Sequence, residues 1–233
     1  MDKSVENNET IKNRQRFKKF LNIFILVFAI VLLAVEGVVY YQRSYLTPFW
    51  VNGQSMYPTL NGNAYDANGN KLTELSGSAG EGYIIDYGVM DTHKAALKKI
   101  KRFDIVVTKY SKTDTKNKIK RIIGLPGETV HFATDTEHRG DLYINDTYIE
   151  QPISLEFVRK GAYSSKKVIL GEDEYFVCGD NRGHSSDSRE EGPVKKEYIT
   201  GKVVAICGTA QVYYDGTHFD IKNIKYKWPR KVK

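Results

Sequence analysis

The longest apolar run lies near the start of the chain. From Phe20 to Val35 it reads Phe-Leu-Asn-Ile-Phe-Ile-Leu-Val-Phe-Ala-Ile-Val-Leu-Leu-Ala-Val, with no charge and one polar residue. Continued through Glu36 to Tyr41, it reaches the roughly twenty residues that a membrane-spanning helix needs. A buried core helix of a soluble protein would show a polar face, and this segment shows none. A cleavable secretory signal would be shorter and end at a small-residue site, whereas this run ends in Glu-Gly-Val-Val-Tyr-Tyr. The pattern predicts a transmembrane helix over residues 20–41, with Glu36 close enough to the outer end to reach headgroups or water.

Beyond residue 42 the pattern changes to short β-branched and aromatic runs between turn signals. Tyr83–Tyr87, Asp104–Tyr110, Ile119–Gly124, Thr129–Phe132, Leu142–Asn145, Glu174–Cys178 and Lys202–Cys207 all read as strands. Asn145-Asp146, between Leu142-Tyr-Ile and Thr147-Tyr-Ile, reads as a tight hairpin turn. One helix is expected in this part, from Asp91 to Ile100, with Asp91 or Thr92 as N-cap and Lys98 and Lys99 near its C-terminal end. No alternation of strand and helix and no internal repeat is evident. The expected fold class is therefore mainly β: a single N-terminal transmembrane helix followed by an antiparallel β-rich domain. Residues 63–82 are polar and turn-rich and read as a loop insertion. Within them Asp66-Ala-Asn-Gly-Asn70 half resembles a calcium loop, but its glycine is misplaced and Gly77 stands where the bidentate acid belongs, so a solvated turn is expected. Asn145-Asp-Thr147 also matches a glycosylation sequon, a common pattern.

Composition is ordinary for a globular protein: 233 residues, 41% hydrophobic, 27% charged, with a formal net charge of +7. The placement of the charge matters more than its sum. Lys12, Arg14, Arg16, Lys18 and Lys19 precede the apolar run, and Lys222, Lys225, Lys227, Arg230, Lys231 and Lys233 close the chain. A bilayer's anionic face explains such clusters here better than nucleic acid does. By the positive-inside rule the N-terminus is cytoplasmic and everything after the span lies outside. Tyr40, Tyr41, Tyr45, Phe49 and Trp50 then form an interfacial aromatic belt. The two cysteines, Cys178 and Cys207, sit in apolar strand-like runs and read as free thiols acting as small hydrophobes, although spacing alone leaves a disulfide open.

Three segments carry candidate chemistry. Val51-Asn-Gly-Gln-Ser55-Met-Tyr-Pro-Thr-Leu60 holds a serine that is either a nucleophile or an ordinary turn hydroxyl. Lys118-Ile-Lys120-Arg121-Ile-Ile-Gly-Leu-Pro-Gly127 holds a lysine inside an apolar strand. Alternation groups Lys120 with Lys118 and Ile122, so periodicity by itself does not bury it. Gly179-Asp180-Asn-Arg-Gly-His184-Ser185-Ser-Asp187-Ser-Arg189 is dense in groups that form hydrogen bonds and ion pairs.

In this order and behind this anchor, these segments resemble the type I signal peptidase family, with Lys101-Arg-Phe-Asp104-Ile-Val-Val as a further matching stretch. The single span and short chain look like a Gram-positive bacterial member. The resemblance implies a membrane-bound serine endopeptidase that cleaves signal peptides from exported preproteins after small residues of the Ala-x-Ala type. It implies a Ser-Lys dyad, with Ser55 as nucleophile, Lys120 as general base and the Ser55 backbone N–H as one oxyanion donor. Ser185 would orient the Lys120 amine, Asp187 and Arg189 would form a supporting ion pair, and Arg121 and Asp180 would be structural partners. The expected organisation is a cytoplasmic segment 1–19, the span 20–41 and an extracytoplasmic catalytic domain 42–233, with a smaller β subdomain at about 131–170. Partners would be preproteins and the lipid bilayer, not nucleic acid, with the secretion machinery left open; no metal or cofactor is implied. The chain departs from the family in having Phe103 where a glycine usually precedes Asp104. It also has Gly53 where some members carry a hydroxyl residue for the oxyanion hole. Rival readings are a Ser-His pair using His184, a non-cleaving pilin assembly factor, and a regulatory Ser-Lys protease. The second usually lacks the serine or lysine, and the third would need a soluble DNA-binding N-terminus.

Overall fold

The computed structural model describes residues 3–72, 79–153, 163 and 166–232, with side chains from residue 12 onward. The chain divides into two compact units, Met1–Leu46 and Thr47–Lys233.

The first unit is one helix, α1 (Lys3–Tyr45). Its stretch Lys12–Tyr45 is long and apolar enough to cross a membrane, and none of that stretch is buried against protein. Phe20, Phe24, Leu32, Leu33 and Val38 are all more than half exposed. A helix that is apolar all round and uncovered by protein is at home in hydrocarbon.

The second unit is β-rich, as its β-branched and aromatic runs imply. Its strands in chain order are β1 (Leu46–Trp50), β2 (Ile84–Asp91), β3 (Ile105–Thr108), β4 (Lys118–Gly124), β5 (Thr129–Phe132), β6 (Leu142–Ile144), β7 (Thr147–Ile149), β8 (Val168–Ile169), β9 (Glu174–Cys178), β10 (Val194–Lys195), β11 (Ile199–Tyr214) and β12 (Phe219–Lys231). Among the described residues they form two sheets. One runs β1-β2-β11-β3-β4-β9-β10, with β12 paired to β11; the other runs β7-β6-β5-β8. Residues of β3 alternate between two cores. Ile105 and Val107 pack with Phe49, Met56, Leu60 and Ile206, while Val106 packs with Ile122, Val177 and Ile199. The smaller sheet encloses Val130, Phe132, Leu142 and Ile144 against Ile123 and Phe176. Asn145 and Asp146 form its tight turn with φ of 49° and 63°, the left-handed pair that the favoured two-residue hairpin requires.

Two expectations need correction. The helix from Asp91 to Ile100 is a single turn, α2 (Lys94–Leu97), capped by His93, whose Nδ1 accepts from the Ala95 N–H. Asp91 instead ends β2, paired with Lys202 of β11, and its carboxylate accepts from the His93 N–H. Ile100 enters the core beside Val106. Strand pairing and burial thus claim both ends of the would-be helix. The 63–82 segment is also more than a solvated insertion. Asp66 closes its own turn, accepting from the N–H groups of Asn68 and Asn70. Ala64 and Ala79, however, are buried with Ile85 and Val212, and Tyr65 bridges to Ile84. Small residues filling a tight gap leave no hydropathy signal. Residues 73–78 lie outside the described residues.

Candidate active site

Ser55 sits in a turn that follows β1. The turn is closed by Tyr57 N–H to Gln54 O and Leu60 N–H to Met56 O. Met56 and Leu60 both pack in the core with Phe49 and Ile105 and fix the segment. Ser55 itself remains half-buried. Lys120 lies on β4 between β3 and β9. Because both neighbours and both cores cover that strand, it is buried from Lys120 to Gly124 irrespective of alternation. The Lys120 side chain reaches Ser55, with Nζ 2.8 Å from Oγ and 3.1 Å from the Ile119 carbonyl oxygen.

Burial removes water from the Lys120 ammonium and lowers its pKa from 10.5 to about 8; Asp187 opposes the shift and Lys118 adds to it. About one tenth of the amine is therefore neutral at pH 7, and about half at pH 8. Across the same 2.8 Å an ammonium donates to Oγ, while the neutral amine accepts the hydroxyl proton. That is the arrangement an activated serine needs.

The third segment surrounds this pair with buried ion pairs. Arg121 grips Asp180 with two hydrogen bonds, Nε–Oδ1 at 2.8 Å and Nη2–Oδ2 at 2.6 Å. Asp180 Oδ2 also accepts from Thr59 Oγ1 at 2.6 Å, which ties the serine segment to the strand carrying the lysine. Asp187 pairs with Arg189 at 2.8 Å and accepts from the Gly179 N–H. Burial opposes its ionisation, but the hydrogen bonds and charge of Arg189 outweigh this and hold the carboxyl below the usual range. The Asn181 N–H donates to the Ser55 carbonyl oxygen at 3.0 Å. Gly179 is required by close approach: a Cβ there would overlap the Ser55 carbonyl oxygen and Ser185.

Ser185 differs from the rest. Its hydroxyl is buried without a hydrogen bond of standard geometry, to Lys120 or to any other group. It lies near enough to Asp187 to help keep that carboxylate ionised. His184 is exposed, and the basic group on Ser55 Oγ is the Lys120 amine. Cys178 is a free, buried thiol pushed up to about 12 by desolvation, and Cys207 is free and partly buried. Phe103 adopts φ 69°, where a glycine would be unstrained. The turn directs its carbonyl oxygen at Arg121 Nη1, 2.8 Å away. No group of three or more His, Cys, Asp or Glu able to hold a metal occurs among the described residues.

Several participants left no trace in the sequence pattern. Thr59 lay inside a recognised motif without a role. Asn61, Asp86 and Arg230 belonged to a turn, a strand and a basic tail, yet they form one connected group behind Ser55.

Comparison with known proteins places the chain in a family. A profile described as signal peptidase, peptidase S26, matches residues 20–207. Signal peptidase I V of Bacillus subtilis (strain 168) is 37% identical over 119 residues, covering 46% of this chain and 66% of the relative. Signal peptidase I U of the same organism is 29% identical over 187 residues, covering 77% of this chain and 81% of the relative. A solved signal peptidase I from Enterococcus faecalis V583 is 32% identical, covering 45% of this chain and 96% of that one, with a TM-score of 0.35. With that family match running from residue 20 to 207, most of its length, the chain belongs to the signal peptidase family, peptidase S26.

Proposed function

We propose that this protein is a membrane-bound serine endopeptidase that removes signal peptides from exported preproteins by a Ser55–Lys120 dyad. The observation that carries the reading is the 2.8 Å contact between Ser55 Oγ and the amine of Lys120, an amine whose pKa burial has lowered to about 8. Neutral Lys120 takes the Oγ proton as the serine attacks the scissile carbonyl carbon. The resulting oxyanion is held by backbone donors, the Ser55 N–H among them. The Lys120 ammonium then returns its proton to the departing amine, which becomes the N-terminus of the mature protein. A water, deprotonated by Lys120, releases the signal peptide from the ester and restores both side chains.

The basic residues preceding the apolar helix favour a cytoplasmic N-terminus and a catalytic unit on the outer face, where preproteins emerge. Small residues of the Ala-x-Ala type before the cut follow from the family. The substrate binds as an added strand, so its backbone supplies affinity and small side chains supply selection. Purified protein incubated with an Ala-x-Ala preprotein tests the proposal. Ser55→Ala and Lys120→Ala are each expected to abolish cleavage with the fold intact, and His184→Ala to retain most activity. A folded Lys120→Ala protein with more than a few per cent of wild-type activity would refute the dyad.

A further inference from the structure

Strand β12 lies beyond the region matched by the family profile, which ends at residue 207. It pairs with β11 alone and is mostly exposed, so its ladder reads as a surface extension. Two of its side chains reach past β11: Tyr226 packs edge-on against Tyr87 of β2, and Arg230 reaches the segment that carries Ser55. Its Nη2 lies 2.9 Å from Oδ2 of Asp86, a carboxylate only 6% exposed, and both its Nη atoms lie 3.4 Å from the Thr59 carbonyl oxygen. Asp86 is locked in turn to Asn61: the Asn61 N–H donates to Asp86 Oδ2, and the Asp86 N–H donates to Asn61 Oδ1, both at 2.8 Å. Asn61 is fully buried with φ 61°. Its Nδ2 donates to the carbonyl oxygens of Val51, at 2.7 Å, and Gly53, at 3.4 Å.

These two carbonyls belong to the peptide groups leading into Ser55. Fixing the plane of the Gly53–Gln54 peptide fixes its own N–H, because each peptide unit is rigid, and leaves only the two torsions of Gln54 between that plane and the Ser55 N–H. Gly53 itself offers no side chain to the reaction, so the direction of the backbone donors matters more here than in a chain with a hydroxyl at that position. From this geometry we infer that Arg230, acting through Asp86 and Asn61, is a positioning residue for the nucleophile segment. The C-terminal strand β12 is thereby part of the machinery that aims the serine and its backbone donors. This rests on the reading of Ser55 as nucleophile.

The ion pair is half open to water, with Arg230 46% exposed, so its contribution to stability is small. Its value is geometric, since small misplacements of reacting groups cost large factors in rate. Steady-state cleavage of one preprotein by the full-length Arg230→Met, Asp86→Asn and doubly substituted proteins tests the inference. Arg230→Met is expected to lower kcat about five- to twentyfold with KM within twofold. The double variant should be no slower than the slower single one, because both act along one chain of contacts. The midpoint of the pH–rate profile should stay in place, since the charged groups acting most strongly on Lys120 are Asp187, Lys118 and Arg189. Should Arg230→Met lower the unfolding midpoint by more than about 5 °C, Arg230→Lys replaces it in the cycle. Unchanged kcat, a loss confined to KM, additive losses, or a moved pH midpoint would each overturn the inference. Ser55→Ala run alongside separates the two readings: an active Ser55→Ala protein defeats the nucleophile assignment itself.

Discussion

Replacing Lys120 by methionine should destroy activity and make the protein more stable at neutral pH. Lys120 is 3% exposed, and its pKa falls from 10.5 to about 8 on folding. Between these values the unfolded chain holds a proton that the folded one has released, so stability rises with pH from about 8 to 10.5. Below pH 8 both states are protonated, and the folded state carries the full penalty of a buried ammonium. At about 1.4 kcal/mol per pH unit, this is roughly 3 kcal/mol. Methionine has similar volume and no charge, and it forgoes the hydrogen bonds to Ser55 Oγ and the Ile119 carbonyl oxygen, together worth about 1 kcal/mol against a neutral amine. The variant should therefore gain about 2 kcal/mol at pH 7, or roughly 4–8 °C in unfolding midpoint for a domain of this size. The gain should vanish by about pH 10.5. Thermal unfolding of wild type and variant in the same detergent, followed by tryptophan fluorescence at pH 7 and 10.5, measures the difference directly. Every other titrating group is common to both proteins and cancels. A variant no more stable than wild type at pH 7, or a gain unchanged at pH 10.5, would refute the claim that burial is what lowers this lysine.

Cleavage rate should rise about eightfold between pH 6.5 and 7.5 and level off above about pH 9, tracking neutral Lys120 through its pKa of about 8; a rate still climbing steeply at pH 10 would contradict this. Gly53→Ser should be tolerated, with kcat changed less than about tenfold, because a Cβ at Gly53 meets nothing within 4 Å and the backbone there is not left-handed; a folded but inactive variant would count against it. Deleting residues 63–82 should lower the unfolding midpoint, since it removes Ala64 and Ala79 from the core around Ile85 and Val212. It also removes the Ala79 N–H bond to the Asn52 carbonyl oxygen, three residues before Ser55. An unchanged midpoint would mean the segment rests on the core without supporting it.

The amino-acid sequence by itself determined what depends on local pattern. An uninterrupted apolar run specifies the helix at the start, and short β-branched and aromatic runs between turn residues specify most strands of the second unit. Asn145-Asp146 specifies its hairpin, since those residues tolerate left-handed backbone. The motif residues also identify which serine and lysine to examine. Tertiary structure decided whatever depends on who covers whom. Alternation assigned Lys120 to a mixed face, but β4 is covered on both faces, so its burial, and with it the lowered pKa, arises from β3 and β9 rather than from its own neighbours in sequence. Asp91 was lost to a helix because β11 was long enough to pair with it. Ala64 and Ala79 were unreadable because alanine is equally at home in a core and in a loop. Arg230 looked like one more cation in a basic tail until β12 folded back along β11. That pairing brought it to Asp86 across 144 residues of chain, a contact fixed by strand register and therefore absent from any local pattern.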